Sequence, residues 1–171
     1  LVFGGSQGAL SINRAALDGL LEGERDFHVL HISGRRDHEW VRERLGAETP
    51  AYTVIDFEPG LGDALAACDL VLARAGASVF ELAAAGRPAI LVPYPYATSR
   101  HQHANAEWMA AAGAAIVVED AELDGDTVRR LAGELLGDRA RLDGMSEAAA
   151  ALAMPDAAER VAAEVLAAVA R

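Results

Sequence analysis

Short apolar runs alternate with amphipathic stretches along the whole of this 171-residue chain. The runs LVF (1–3), HVLHIS (28–33), YTVID (52–56), LVLA (70–73), AILVP (89–93) and AAIVVE (114–119) predict six strands. Their β-branched content and flanking turn formers separate them from buried helix. Helical periodicity predicts helices between them, near 10–21, 37–45, 60–67, 78–85 and 103–112. Alanine-rich amphipathic helices near 126–136, 139–152 and 156–170 close the chain, with Pro155 at the start of the last. Alternation of this kind lays successive strands parallel and covers both faces with helices. The expected fold is a doubly wound α/β domain over 1–171 with a parallel six-stranded sheet. Ligands of such sheets sit at the carboxyl ends of the strands, where loops lead into helices.

Composition narrows the class. Hydrophobic residues make up 52% and charged residues 24%, which is globular rather than disordered. With 26 acidic against 15 basic residues the net charge is −11. That argues against a nucleic-acid partner, which needs a basic face. A bound phosphate would need local donors such as backbone N–H groups and helix ends. No apolar run reaches the roughly 18 residues that span a bilayer, and no secretory leader is expected, because Leu1 reads as already inside a strand. The missing initiator Met leads us to expect a piece of a longer protein. The single Cys68 excludes an internal disulfide framework and suits a reducing cytoplasm.

Three loop segments carry candidate chemistry. In GGSQGA (4–9), Gly4 and Gly5 permit tight or positive-φ turns and Gly8 permits close helix packing. Ser6 is placed to cap the following helix or to donate to a phosphate oxygen. The same letters fit the G-x-S-x-G elbow of a serine hydrolase with Ser6 as nucleophile. That reading needs an oxyanion loop from an earlier strand, and none precedes this one, so a phosphate-binding turn is favoured over a structural turn or a nucleophile.

The second segment is ARAGASVFELAAAGRP (73–88). Ser78 and Glu81 have the spacing of a capping box, Ser78 at N-cap and Glu81 at N3. The same geometry would let a second helix N-terminus share a diphosphate with the first and let Glu81 accept from a ribose diol. Arg74 reads either as a phosphate counter-charge or as a buried ion-pair partner. The third segment, YPYATSRHQHANAEW (94–108), brings His101, Gln102, His103 and Asn105 to a helix entry. Such side chains suit sugar hydroxyls, or simply a solvated helix start. Metal ligation by His101 and His103 lacks supporting Cys or carboxylate spacing. Asp124-Gly125-Asp126 resembles a metal-binding D-x-D but lies where Asp124 would cap a helix. Cys68 reads as a packed helix end rather than a catalytic thiol.

Taken in order, GGSQGA, RAGAS…ELAAAGRPAILVP and HQ…NA resemble the C-terminal half of the MurG-type transferases of glycosyltransferase family 28, from Leu1 to about Asp120. The resemblance implies the C-terminal half of a GT-B fold, a Rossmann-like domain that binds UDP-N-acetylglucosamine. The absent N-terminal domain would bind the lipid-linked muramyl-pentapeptide acceptor of peptidoglycan synthesis and supply the catalytic base, so no catalytic residue is expected in this chain. No cofactor and no strictly required metal are implied. The full-length protein would be cytoplasmic and peripheral on the inner membrane face.

Carried onto this sequence, Gly5, Ser6 and Gln7 would lie at the diphosphate, and backbone around Phe57 at the uracil. The Gly76-Ala77-Ser78-Val79 turn would donate N–H groups to phosphate, Glu81 would hold the ribose hydroxyls, and His101 and Gln102 the sugar hydroxyls, while Arg74 and Asn105 stay substrate-binding candidates of their own segments. Two departures stand out. RAGASVFEL is one residue shorter before its acid than the family's frequent pattern, and Thr98-Ser99-Arg100 replaces an Asp ahead of the HQ pair. The rival readings are another UDP-sugar GT-B transferase such as a glycolipid synthase, a serine hydrolase using Ser6, and a non-catalytic nucleotide-binding module. A nicotinamide dehydrogenase is disfavoured because G-x-G-x-x-G is absent and Ser33-Gly34-Arg35, not an acid, ends the second strand.

Overall fold

The computed structural model describes residues 1–169 apart from 6, 22–25, 47, 48 and 50. Six strands form one parallel sheet: β1 (Val2–Phe3), β2 (Val29–Ile32), β3 (Tyr52–Ile55), β4 (Val71–Arg74), β5 (Ala89–Val92) and β6 (Ala115–Val117). The helices are α1 (Leu10–Leu20), α2 (His38–Leu45), α3 (Leu61–Ala67), α4 (Ser78–Ala84), α5 (His101–Ala111), α6 (Gly125–Leu136), α7 (Arg139–Ala151) and α8 (Ala157–Val169). Strand order is β3-β2-β1-β4-β5-β6. The chain first builds outward from β1 to β3 and then starts again on the other side at β4. The crevice at the reversal, between β1 and β4, is where such folds bind ligands.

The apolar runs are continuous because both sheet faces are buried. Side chains alternate across the sheet, so Val2, Leu72, Ile90 and Val92 join one cluster under α1 and α6. Phe3, Val71, Ala73, Ala89 and Leu91 join the other, under α4 and α5. On the first face α1 approaches α6 so closely that a Cβ on Gly19 would overlap the Gly125 carbonyl oxygen.

Element limits differ from the sequence reading by one or two residues, the usual uncertainty at helix and strand ends. One shift matters. Helix α5 begins at His101, two residues early, after a short 3-10 turn at Thr98–Arg100. His101 and Gln102 therefore sit in its first turn rather than ahead of it.

Candidate functional site

The glycine turn after β1 carries the chain over the crevice and into α1. Gly5 and Gly8 have φ of +91° and +80°, and Gly8 N–H donates to Gly5 O at 2.9 Å. A Cβ on Gly8 would overlap the Ser33 carbonyl oxygen, and one on Gly34 would overlap Gly8 N. Only glycine lets the turns after β1 and β2 touch in this way. The N-cap of α1 is Ala9, in extended conformation and without a side-chain cap. The first helical bond runs from Asn13 N–H to Ala9 O, so among the described residues the N–H groups of Leu10, Ser11 and Ile12 have no backbone acceptor. Such a helix end is a ready anion site. Gln7 is exposed in the turn; Ser6 lies outside the described residues.

The turn after β4 is closed by its own backbone: Val79 N–H donates to Gly76 O and Phe80 N–H to Ala77 O, both at 3.2 Å. The expected capping box is not formed. Ala77, at φ −60° and ψ −22°, is the N-cap and Ser78 the first helical residue. Backbone acceptors take the Val79 and Phe80 donors, and among the described residues the Ser78 hydroxyl and the Glu81 carboxylate have no protein partner. From α5, Asn105 Nδ2 reaches Ala75 O at 3.0 Å and Gly76 O at 3.3 Å. Asn105 thus holds the turn from behind.

A cavity of about 840 Å³ opens where these turns meet, at the carboxyl end of β1 and β4. Of the residues expected at the site, Gly5, Phe57, Arg74, Gly76, Ala77, Ser78, Glu81 and Gln102 line it. Glu81 reaches the cavity even with the shorter approach to it in sequence. Gln102 Oε1 accepts from Tyr94 N at 2.9 Å, and among the described residues its amide NH₂ has no partner. Val79 is fully buried in the core instead. His101 is exposed, its Nδ1–H donating to Thr98 O at 2.7 Å, and it does not line the cavity.

Arg74 is an ion-pair partner in this structure. Its Nη1 lies 2.6 Å from Asp120 Oδ1, and the side chain is 11% exposed. Nη1 also donates to Val92 O and Pro93 O, Nη2 donates to Ser11 Oγ, and Ser11 Oγ donates to Asp120 at 2.7 Å. The guanidinium is also stacked on Tyr94, 5.4 Å from the ring centroid. This group ties α1, β4, β5 and the turn after β6 into one wall.

Ser11, Arg14, Arg36, Tyr94 and Asp120 also line the cavity, and sequence reasoning missed them. For Arg36, Tyr94 and Asp120 the available signal was position, since each follows the carboxyl end of a strand. Phe57 is braced from outside by Arg35, whose guanidinium carbon sits 4.4 Å from the ring centroid. Asp37 raises the Arg36 guanidinium above its ordinary pKa through a hydrogen bond and its charge.

No histidine lines the cavity, so the hydrolase reading has no base at the glycine turn among the described residues. His103 Nε2 faces Glu119 Oε2 at 3.2 Å. Among the described residues no group of three His, Cys, Asp or Glu side chains could hold a metal ion. Asp124 caps α6, accepting from Thr127 N at 2.8 Å, which holds its carboxyl below the ordinary range. Cys68 ends α3, and burial pushes its thiol up.

Strand order and crevice define the class: a Rossmann-like α/β domain with its ligand cavity over the switch point. The chain belongs to the glycosyltransferase family 28 C-terminal domain family, whose description matches residues 1–161. It is 46% identical over 167 residues to the UDP-N-acetylglucosamine–N-acetylmuramyl-(pentapeptide) pyrophosphoryl-undecaprenol N-acetylglucosamine transferase of Moorella thermoacetica, covering 92% of this chain and 45% of that one. The transferase of the same name from Halorhodospira halophila is 47% identical over 165 residues, covering 95% and 46%. The chain therefore spans about half the length of the curated relatives it matches. The crystal structure of Acinetobacter baumannii MurG superposes with a TM-score of 0.83 at 32% identity, over 94% of this chain and 47% of that one. The calicheamicin glycosyltransferase CalG4 shares the fold, with a TM-score of 0.69 at 24% identity, over 99% and 41%.

Proposed function

We propose that this chain is the donor-binding half of an inverting N-acetylglucosaminyltransferase. It holds UDP-N-acetylglucosamine over β1 and β4 for transfer to the lipid-linked muramyl-pentapeptide that the other half of the protein binds. The observation that carries this reading is the convergence on one cavity of two glycine-containing turns, Glu81, which has no partner among the described residues, and Gln102. The activity named for the relatives is the one such a cavity suits.

In this reading the diphosphate lies against the glycine turn and the free N–H groups of Leu10 and Ser11, with Ser78 opposite. Phe57 borders the uracil, Glu81 accepts from the ribose hydroxyls, and Gln102 donates to the sugar. An acceptor hydroxyl oxygen attacks the anomeric carbon as the bond from that carbon to the β-phosphate oxygen breaks. The electron pair leaves with UDP, and the proton passes to a base supplied by the other half. Charge growing on the β-phosphate meets fixed N–H dipoles, which stabilise it without having to reorganise.

Glu81→Ala tests the assignment by calorimetry with UDP-N-acetylglucosamine. Hydrogen bonds to a charged group contribute about 1.5–3 kcal/mol; exposure of Glu81 puts the expectation at the low end, about a tenfold weaker Kd. Unchanged affinity would remove the ribose role. Competition by other UDP-sugars would show whether Gln102 sits at an N-acetylglucosamine.

A further inference from the structure

We infer that Arg36 is a diphosphate-binding residue of this site, and that the buried chain Tyr52–His31–Asn13–Asp37 is the device that positions it. The inference rests on the nucleotide-sugar reading above. Arg36 follows β2, its side chain is 58% exposed, and it lines the same cavity as Gly8, Leu10 and Ser11. Asp37 grips one edge of the guanidinium, Nε at 2.8 Å on Oδ1 and Nη2 at 3.1 Å on Oδ2. A guanidinium carries five N–H donors, so among the described residues Nη1 and the second Nη2 hydrogen remain for a ligand.

The clamp is itself held by groups that never reach the cavity. Asp37 is buried, and its Oδ2 also accepts from Asn13 Nδ2 at 3.1 Å. Asn13 Nδ2 spends its other hydrogen on Ser33 O at 3.0 Å, which turns Asn13 Oδ1 toward His31 Nε2 at 2.9 Å. His31 is then the tautomer protonated at Nε2, and its Nδ1 accepts from Tyr52 O–H at 2.9 Å. Every donor in the chain points toward the Asp37 carboxylate. Asn13 and His31 have no exposed surface. A buried polar chain of this kind is no more stabilising than apolar packing of the same volume, and what it adds is a fixed position for its ends.

Location selects Arg36 over the other cavity cations. Both Arg74 and Arg36 pair with an aspartate, but Arg74 also commits Nη1 to Val92 O and Pro93 O and Nη2 to Ser11 Oγ, whereas Asp37 takes one edge of Arg36. Arg14 lies over Trp40, 5.9 Å from its ring centroid. Asp37 Oδ2 stands 3.1 Å from where a Gly8 Cβ would be, so the clamp abuts the glycine turn that faces the anion.

The test is binding of UDP, uridine and inorganic pyrophosphate to the 171-residue chain and to Arg36→Ala, Asp37→Asn and the double variant. Arg36→Ala is expected to weaken UDP and pyrophosphate about tenfold and leave uridine unchanged, the loss of one charge-assisted hydrogen-bonding group at a half-exposed site. Asp37→Asn keeps the arginine and removes a negative charge, so simple Coulomb repulsion predicts tighter UDP binding. Positioning predicts a roughly threefold or larger loss confined to the phosphate-bearing ligands, and no additional loss in the double variant. Tighter UDP binding by Asp37→Asn, or equal losses for UDP and uridine, would overturn the proposal. So would an Arg36→Ala chain that binds UDP as the parent does. Failure of the parent chain to bind either UDP or uridine would instead overturn the nucleotide-sugar reading.

Discussion

Taking the protein from pH 7 to pH 5 removes stabilisation at one buried imidazole. His31 has no exposed surface, and burial lowers its pKa from 6.5 to about 4. The unfolded chain takes up this proton near pH 6.5, whereas the folded chain resists it until about pH 4. Stability from this site is therefore fully present above 6.5, falls as pH drops through the window, and stops falling below 4. Two and a half units at about 1.4 kcal/mol each set a ceiling of roughly 3 kcal/mol, of which about 2 kcal/mol is lost by pH 5. Urea unfolding of the parent chain and His31→Gln at both pH values isolates the effect. The variant loses hydrogen bonds to Tyr52 and Asn13 and starts less stable at pH 7. Its further loss on going to pH 5 is expected to be about 2 kcal/mol smaller than the parent's, because every other titrating group contributes equally to both. Parallel pH dependences in the two proteins would refute the reasoning.

Two glycine predictions use stability alone. Gly8→Ala combines φ of +80° with overlap of the Ser33 carbonyl, so it is expected to cost upwards of about 2 kcal/mol in urea unfolding; a neutral result would mean the two turns separate freely. Gly19 and Gly133 both lie inside helices, yet Gly19→Ala would strike the Gly125 carbonyl whereas nothing lies within 4 Å of a Cβ on Gly133. Gly19→Ala should destabilise by about 1–3 kcal/mol and Gly133→Ala should stabilise by roughly 0.5–1 kcal/mol. Equal effects would show that propensity, not the α1–α6 crossing, governs both.

All six strands were legible because the sheet is buried on both faces, which turns each strand into an unbroken apolar run such as AILV at 89–92. Local chemistry was legible where one segment contains it all, as in the positive φ of Gly5 or the Asp124 cap, although the second positive φ of that turn falls on Gly8 and not on Gly4. The capping box was misread for the same local reason. Ser78 and Glu81 have the spacing, but the helix takes Ala77 as its cap once the backbone closes the turn.

What the one-dimensional pattern hides is pairing across strands. Asn13 reads as one more polar residue of an amphipathic helix, and His31 as an interruption in a strand. Each is buried because the other lies opposite it when α1 packs on β2. Arg74 shows the consequence for function. Its two sequence readings, phosphate counter-charge or ion-pair partner, depend on Asp120, which follows β6 and reaches β4 only through the order β4-β5-β6. With Nη1 and Nη2 committed to the cavity wall, Arg74 has few donors left for a ligand in a chain already carrying −11. In the proposed reading the anion is then held by backbone N–H groups at the glycine turn and by a cation whose own partner leaves a donating edge free. Arg36 has that arrangement, because Asp37 uses Nε and one Nη2 hydrogen, Nη1 has no partner among the described residues, and Arg36 lines the cavity.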